Sequence, residues 1–276
     1  MTLTQTIEQH LSLHHWPDAL RDATFLAEDL TLLAHENGAL VDDAQAIKAA
    51  NALLEGQPLA YASGLAHFYG LTMRVSPAVL IPRPETEELV EWVFSENKHL
   101  TAPKVLDMCT GSGCIALAYK YLHPQATVMA SDISEDALGI ARLNARRLSM
   151  DVSFIPHDCL SPTPPALGLI PDIIISNPPY IPTSERNKMG ESTLRYEPAL
   201  ALFTEGEDGM EFYEALARWG QHYANQSGNT TVYAEINEFR AAATVKVFED
   251  NRGREILIRK DMAGADRMLK AIFKKV

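Results

Sequence analysis

Asn177-Pro178-Pro179-Tyr180 brings together residue types that suit the handling of a poorly nucleophilic amino nitrogen. In an amide or a ring-conjugated amine the nitrogen lone pair is delocalised. Two acceptors, the Asn177 side-chain oxygen and the Pro178 main-chain carbonyl, would hold both hydrogens and aim the lone pair at an electrophile. The two prolines fix an extended turn and remove two N–H donors, so acceptors dominate there. Tyr180 offers an aromatic face to a planar group. Such a site works by position and electrostatics, and it needs no general base before transfer.

A second cluster looks built for a ligand. Val105-Leu106-Asp107 runs into Met108-Cys109-Thr110-Gly111-Ser112-Gly113 ahead of a helix. Glycines let the backbone approach a ligand closely and turn helix N–H groups towards it. Gly111, Gly113 and Ala116 also satisfy G-x-G-x-x-G/A, so a nicotinamide cofactor competes. Asp107 discriminates, because a carboxylate at the mouth of the loop repels a pyrophosphate and attracts a cation. S-adenosyl-L-methionine carries an ammonium and a sulfonium and no phosphate. Asp132 follows the glycines by about 20 residues, where an acid meets ribose hydroxyls or caps the next helix. The two acids favour S-adenosyl-L-methionine.

These loops need strands and helices to position them. From residue 104 short apolar strands read at 105–108, 127–130, 152–155, 173–176, 231–236 and 255–259, with helices near 113–122, 134–148, 209–221 and 238–249. The alternation predicts βαβ units and a parallel sheet covered on both faces. Before it lies a small helical region with helices near 2–15, 18–36 and 43–55, the last stopped by Gly56-Gln57-Pro58. Residues 59–84 read as irregular, and a helix starts near Glu85. The divisions are 1–75 (helical), 76–103 (a linking hairpin and helix) and 104–276 (the α/β domain).

The 276 residues carry a formal charge of −12, with nine acids and three bases in 1–75. That balance argues against broad nucleic-acid binding, which needs a basic footprint. No apolar run approaches the ~18 residues of a membrane helix, and the beginning of the chain does not read as a signal peptide. Cys109, Cys114 and Cys159 read as free thiols of a reducing cytoplasm. The histidines show no ligand spacing, and no metal site is expected.

Over nearly its full length the sequence resembles the peptide chain release factor N(5)-glutamine methyltransferase family. The resemblance is carried by Gln57-Pro58-Leu59-Ala60-Tyr61, Phe68-Tyr69-Gly70-Leu71, Ile81-Pro82-Arg83-Pro84-Glu85-Thr86-Glu87 and Gly111-Ser112-Gly113. Asp132-Ile133-Ser134, Asn177–Tyr180, Arg195-Tyr196-Glu197-Pro198 through Gly209, and Lys260-Asp261 to Arg267 extend it. It implies a Rossmann-like, seven-stranded class I methyltransferase domain of α/β type, with an all-helical N-terminal domain that docks substrate. It also implies an enzyme that uses S-adenosyl-L-methionine and yields S-adenosyl-L-homocysteine; a cytoplasmic monomer is expected. Its substrate would be the glutamine in the Gly-Gly-Gln motif of class-I release factors, in support of translation termination.

By position, the resemblance assigns the cofactor to Cys109, Thr110, Gly111, Ser112, Gly113, Asp132, Asp158, Cys159 and Asn177. Asn177, Pro178 and Tyr180 would be catalytic, and Asn177, Pro178, Pro179, Tyr180 and Arg83 would bind substrate. Three residues depart from the family pattern: Cys109 at its first glycine, Cys159 where a larger residue commonly covers the adenine, and Asn237 in place of a glycine. Rival readings are a glutamine methyltransferase acting on a ribosomal protein, a nucleic-acid amino-group (adenine or guanine) methyltransferase, and a cofactor-binding module without catalysis.

Overall fold

The computed structural model describes residues 1–163 and 167–276, and opens with helices α1 (Leu3–Leu13), α2 (Ala19–Glu36) and α3 (Asp43–Leu54). Two of them start in capping boxes. Thr2 and Gln5 exchange side-chain and backbone hydrogen bonds, as do Asp42 and Gln45, pairing N–H groups that a helix start leaves free. Ile7, Leu11, Leu26, Ala46, Ala50 and Leu53 close an apolar core among the three helices. A short helix, α4 (Leu59–Ser63), ends at the left-handed Gly64.

A hairpin follows, β1 (Leu65–Phe68) and β2 (Leu71–Arg74), so the hairpin expected after residue 76 lies earlier in the chain. Its turn residues Tyr69 and Gly70 both have positive φ (50° and 73°), as tight hairpins require. Tyr-Gly is not the Asn-Gly signature that announces such a turn. Phe68, Leu71 and Met73 belong to the core of the sheet domain. The hairpin therefore packs with the sheet domain.

Helix α5 (Pro84–Asn97) starts with proline in its first turn and Glu85 and Glu87 beside it, which complements the helix dipole. The sheet domain continues through β3 (Lys104–Met108), α6 (Cys114–Leu122), β4 (Thr127–Asp132), α7 (Glu135–Arg147), β5 (Val152–Pro156) and β6 (Ile173–Ser176). A lobe of short elements comes next: β7 (Ile181–Pro182), α8 (Glu191–Tyr196), α9 (Ala199–Leu202) and β8 (Phe203–Thr204). The chain ends with α10 (Glu211–Ser227), β9 (Asn229–Glu235), α11 (Ala241–Asp250), β10 (Arg254–Lys260) and β11 (Asp266–Lys274).

Seven strands form one sheet in the order β10-β11-β9-β6-β3-β4-β5. The expected parallel sheet is formed by β9, β6, β3, β4 and β5, and at its edge β11 runs antiparallel to both β9 and β10. Residues 261–265 alone join β10 to β11, far too few for a crossover helix. Ile173 and Ile175 pack towards one core and Ile174 towards the other, which is why the central strand is apolar throughout.

Strand order changes direction at β3, which has β4 on one side and β6 on the other. Ligands in open α/β sheets bind at such a switch point, beyond the carboxyl ends of the strands. Met108 pairs with Ser176 across β3 and β6, and the Ser176 hydroxyl donates to the Met108 carbonyl at 2.7 Å. The loop of Cys109–Gly113 and the loop of Asn177–Tyr180 thus leave the same edge side by side. Among the described residues no helix is long and apolar enough to cross a membrane.

Candidate active site

The loop after β3 rises through three left-handed residues, Cys109 (φ 60°), Gly111 (φ 55°) and Gly113 (φ 83°). Asp107 holds it from below. That carboxylate is fully buried and accepts from the Thr110 hydroxyl and from the Ala116 N–H. It stands under the loop instead of at its mouth, so its expected encounter with a ligand is replaced by a structural one. Burial pushes Asp107 up to about 7, and its Oδ1 has no hydrogen-bond partner among the described residues.

Gly113 has a packing role. A Cβ there would lie 3.2 Å from the Ala141 Cβ of α7, and Gly113 is not part of the cavity wall described below. Asn144, fully buried on α7, donates to the carbonyls of Ser112 (2.9 Å) and Arg74 (3.0 Å) and accepts from Arg74 N–H. One side chain thus ties the loop to the hairpin. Nothing in the sequence marks Asn144, because its partners lie 32 and 70 positions away.

Above the loop opens a cavity of about 460 Å³, within the range of small-molecule sites. Cys109, Thr110, Gly111, Ser112, Asp132, Asp158, Cys159 and Asn177 all line it, as do Arg83 and Pro179. Pro178 is buried outside the wall, and Tyr180 stands behind it, partly exposed. The wall is acidic: Asp132, Asp136, Asp158, Glu205 and Glu211 face one arginine, Arg83, itself paired with Glu197, and His157, whose charged form burial disfavours. This lining attracts a cationic ligand and opposes a pyrophosphate, the discrimination that Asp107 alone was expected to make. The residues present therefore fit S-adenosyl-L-methionine.

Asp132 Oδ2 accepts from Gly111 N–H at 2.8 Å and Oδ1 from Ser134 N–H at 2.9 Å. The helix cap is Ser134, whose hydroxyl accepts from Ala137 N–H, so Asp132 belongs to the cavity and not to the cap. Burial raises its pKa, against the N–H groups of Ser134, Gly111 and Ile133 that favour its charge. Cys109 packs in the cluster that holds Cys159, and that neighbouring thiol together with burial pushes the Cys109 thiol above its ordinary range. Two of the three departures from the family pattern thus lie in one cluster.

The second loop is anchored by residues far away in sequence. Asn177 Nδ2 donates to Thr86 Oγ1 at 3.1 Å, and Thr86 Oγ1 donates to Glu235 Oε2 at 2.7 Å. Glu235 Oε1 accepts from the Tyr180 hydroxyl at 3.1 Å. Asn237 Nδ2 donates to the Tyr180 carbonyl at 3.4 Å, and its φ of −70° explains why no glycine is needed there. Arg83, beside this loop, donates to the buried Glu197. Thr86, Glu197 and Glu235 all lie in or next to motifs visible in the sequence, but their partnership is set by the fold alone.

This architecture recurs in known proteins. Residues 86–208 match the model of the Methyltransferase small domain. A release factor glutamine methyltransferase of Flavobacterium psychrophilum is 40% identical over 225 residues, 80% of this chain and 78% of that protein. One from Bacteroides thetaiotaomicron is 42% identical over 219 residues, 79% and 77% of the two chains. The chain belongs to the release factor glutamine methyltransferase family. The fold extends further, since a methyltransferase from Pyrococcus furiosus superposes with a TM-score of 0.52 at 19% identity, covering 82% of this chain and 96% of that one.

Membership accounts for the resemblance read from the motifs, and the geometry bears on the Cys109 departure as well as on Asn237. The left-handed φ of Cys109 is a conformation that glycine adopts without cost, which is the physical reason for a glycine in the pattern at that point.

Proposed function

We propose that this protein transfers a methyl group from S-adenosyl-L-methionine to the side-chain amide nitrogen of the glutamine in the Gly-Gly-Gln motif of class-I release factors. The observation that carries this reading is the state of Asn177. Its Nδ2 is engaged by Thr86, and its Oδ1 has no partner among the described residues, in a side chain that lines the acidic cavity. A preorganised acceptor in that position suits an N–H of a substrate amide. The relatives' names supply the amide's identity, glutamine in a release factor.

When bound, the cofactor supplies a sulfonium-activated methyl. The chain's own residues do the rest. Cys109–Ser112, Asp132, Asp158 and Cys159 hold the cofactor; Asn177 Oδ1 accepts one amide hydrogen and the Pro178 carbonyl the other. Tyr180, anchored on Glu235, backs the Asn177–Pro179 turn, and Arg83 and Pro179 flank the amide. Methylation makes the nitrogen acidic, so its proton departs to solvent without a dedicated base. The acidic lining disfavours a nucleic-acid substrate.

The test is to incubate the protein with a release factor and methyl-labelled S-adenosyl-L-methionine, and to map the label by mass spectrometry. One methyl on the Gly-Gly-Gln glutamine is expected. Label on another residue, or none, would overturn the assignment.

A further inference from the structure

Thr86, Glu235, Asn177 and Tyr180 form one hydrogen-bonded relay whose polarity is determined by donor and acceptor counting. An ionised carboxylate only accepts, and the Thr86 and Tyr180 hydroxyls and the Arg267 charge favour that form of Glu235 against the burial that raises its pKa. Glu235 therefore takes the Thr86 hydroxyl hydrogen on Oε2 and the Tyr180 hydroxyl hydrogen on Oε1. Thr86 has one hydrogen, and it is spent on Glu235. Towards Asn177 the same hydroxyl can only accept, so Asn177 must present its NH2 to Thr86 and its Oδ1 to the other side.

We propose that Thr86 and Glu235 are positioning residues that set the amide polarity of Asn177 and anchor Tyr180, so that the acceptor and not the donor end of Asn177 meets the substrate amide. This rests on the proposed role of Asn177 in amide methylation. Thr86 and Glu235 are both 2% exposed, and they come from the start of α5 and the end of β9. Without the relay, the Asn177 amide is free to flip and offer N–H groups to a substrate that needs acceptors. Substrate is then oriented wrongly in a large share of encounters, while the cofactor loop stays intact.

The experiment compares full-length wild type with Thr86→Val, Thr86→Ser, Asn177→Ala and the Thr86→Val/Asn177→Ala double variant. The readouts are kcat and KM on a whole release factor, cofactor affinity by calorimetry, and Tm. Thr86→Val should lower kcat on the order of 10- to 100-fold, the loss of one orienting hydrogen bond, with cofactor affinity little changed. Thr86→Ser should restore most of kcat, since serine keeps the hydroxyl. In the Asn177→Ala background Thr86→Val should cost less than about two-fold more, because the group it orients is gone. Additive losses in the double variant, or serine no better than valine, would overturn the relay. Should valine prevent folding, Glu235→Gln carries the comparison with the same expected non-additivity. Full activity in Asn177→Ala would instead strike at the role of Asn177 itself, and the relay would fall with it.

Discussion

The Glu197 carboxylate binds Arg83 and the Ile81 N–H together, the latter at 3.2 Å, across more than a hundred positions of sequence. It clamps the Ile81–Arg83 segment against the lobe that carries Leu200 and Phe203 on the cavity wall. The Glu197 side chain is 2% exposed, and among the described residues its hydrogen-bond donors are Arg83 and this N–H.

Glu197→Ala should therefore raise KM for the release factor with a smaller effect on cofactor affinity, and cost about 1–3 kcal/mol of stability. Steady-state kinetics and denaturant titration check both. An unchanged KM would show that the clamp does not shape the substrate side.

Gly111 and Gly113 should respond differently to alanine. A Cβ at Gly111 meets nothing within 4 Å, whereas one at Gly113 meets Ala141 and Leu117 at 3.2 and 3.3 Å. Both pay for left-handed φ, about 1 kcal/mol. Gly113→Ala adds overpacking between α6 and α7 and should lower Tm more than Gly111→Ala. Gly111→Ala, at the cavity wall, should lower cofactor affinity more relative to its effect on Tm. Calorimetry on both variants decides, and equal behaviour would remove the distinction.

Cys109 offers a test of backbone strain. Alanine and glycine both delete the thiol, so their difference isolates the backbone. At φ 60° glycine should be the more stable by about 1 kcal/mol, whereas in ordinary extended or helical backbone alanine would be. Urea denaturation of Cys109→Ala and Cys109→Gly gives the sign directly.

Much of this is written locally. The helices announce themselves by Gly38, Gly56 and their capping residues, and the buried strands by runs such as Ile173-Ile174-Ile175. Asn177–Tyr180 and the Cys109–Ser112 loop are visible as motifs, and Asn177, Pro179 and Cys109–Ser112 do converge on one cavity. What could not be read is pairing. The hairpin turn at Tyr69 uses an unusual residue, and the antiparallel β11 is revealed only by its partner β9. Asp107 looks like a ligand group and is a buried strut, because the sequence shows a carboxylate but not its depth. Thr86 and Glu235 are separated by 149 positions, and only the closed sheet brings them together.

Asp107 should leave a signature in the pH dependence of stability. Its pKa is raised from 3.8 to about 7 on folding, chiefly by burial. Between those values the native state binds more protons than the unfolded chain, so stability falls as pH rises. The contribution is complete below about pH 4 and lost above about 7, at up to ~1.4 kcal/mol per unit of titration. Asp107→Asn should flatten that decline in the cofactor-free protein. Tm profiles of the two proteins that run parallel from pH 4.5 to 7.5 would refute the assignment.

The relay's polarity also bears on charge at position 177. Asn177→Ala removes a preorganised acceptor and should lower kcat on the order of 10²–10³-fold. Asn177→Asp keeps an acceptor for the substrate, and orientation alone would predict a milder loss than for alanine. The structure predicts otherwise. An aspartate would place a second carboxylate on Thr86 Oγ1, whose one hydrogen already goes to Glu235. Two acids would then compete for one donor, so Asn177→Asp should be about as impaired as Asn177→Ala. Adding Glu235→Gln supplies the missing hydrogen. Its amide can donate to Thr86, which then donates to Asp at 177, while its oxygen still accepts from Tyr180. The wire runs in reverse and the total charge is that of the wild type. Asn177→Asp/Glu235→Gln should therefore recover kcat about ten-fold or more over Asn177→Asp alone, even though Glu235→Gln by itself is damaging. A double variant no more active than Asn177→Asp would show that the hydrogen count along Thr86 does not govern the site.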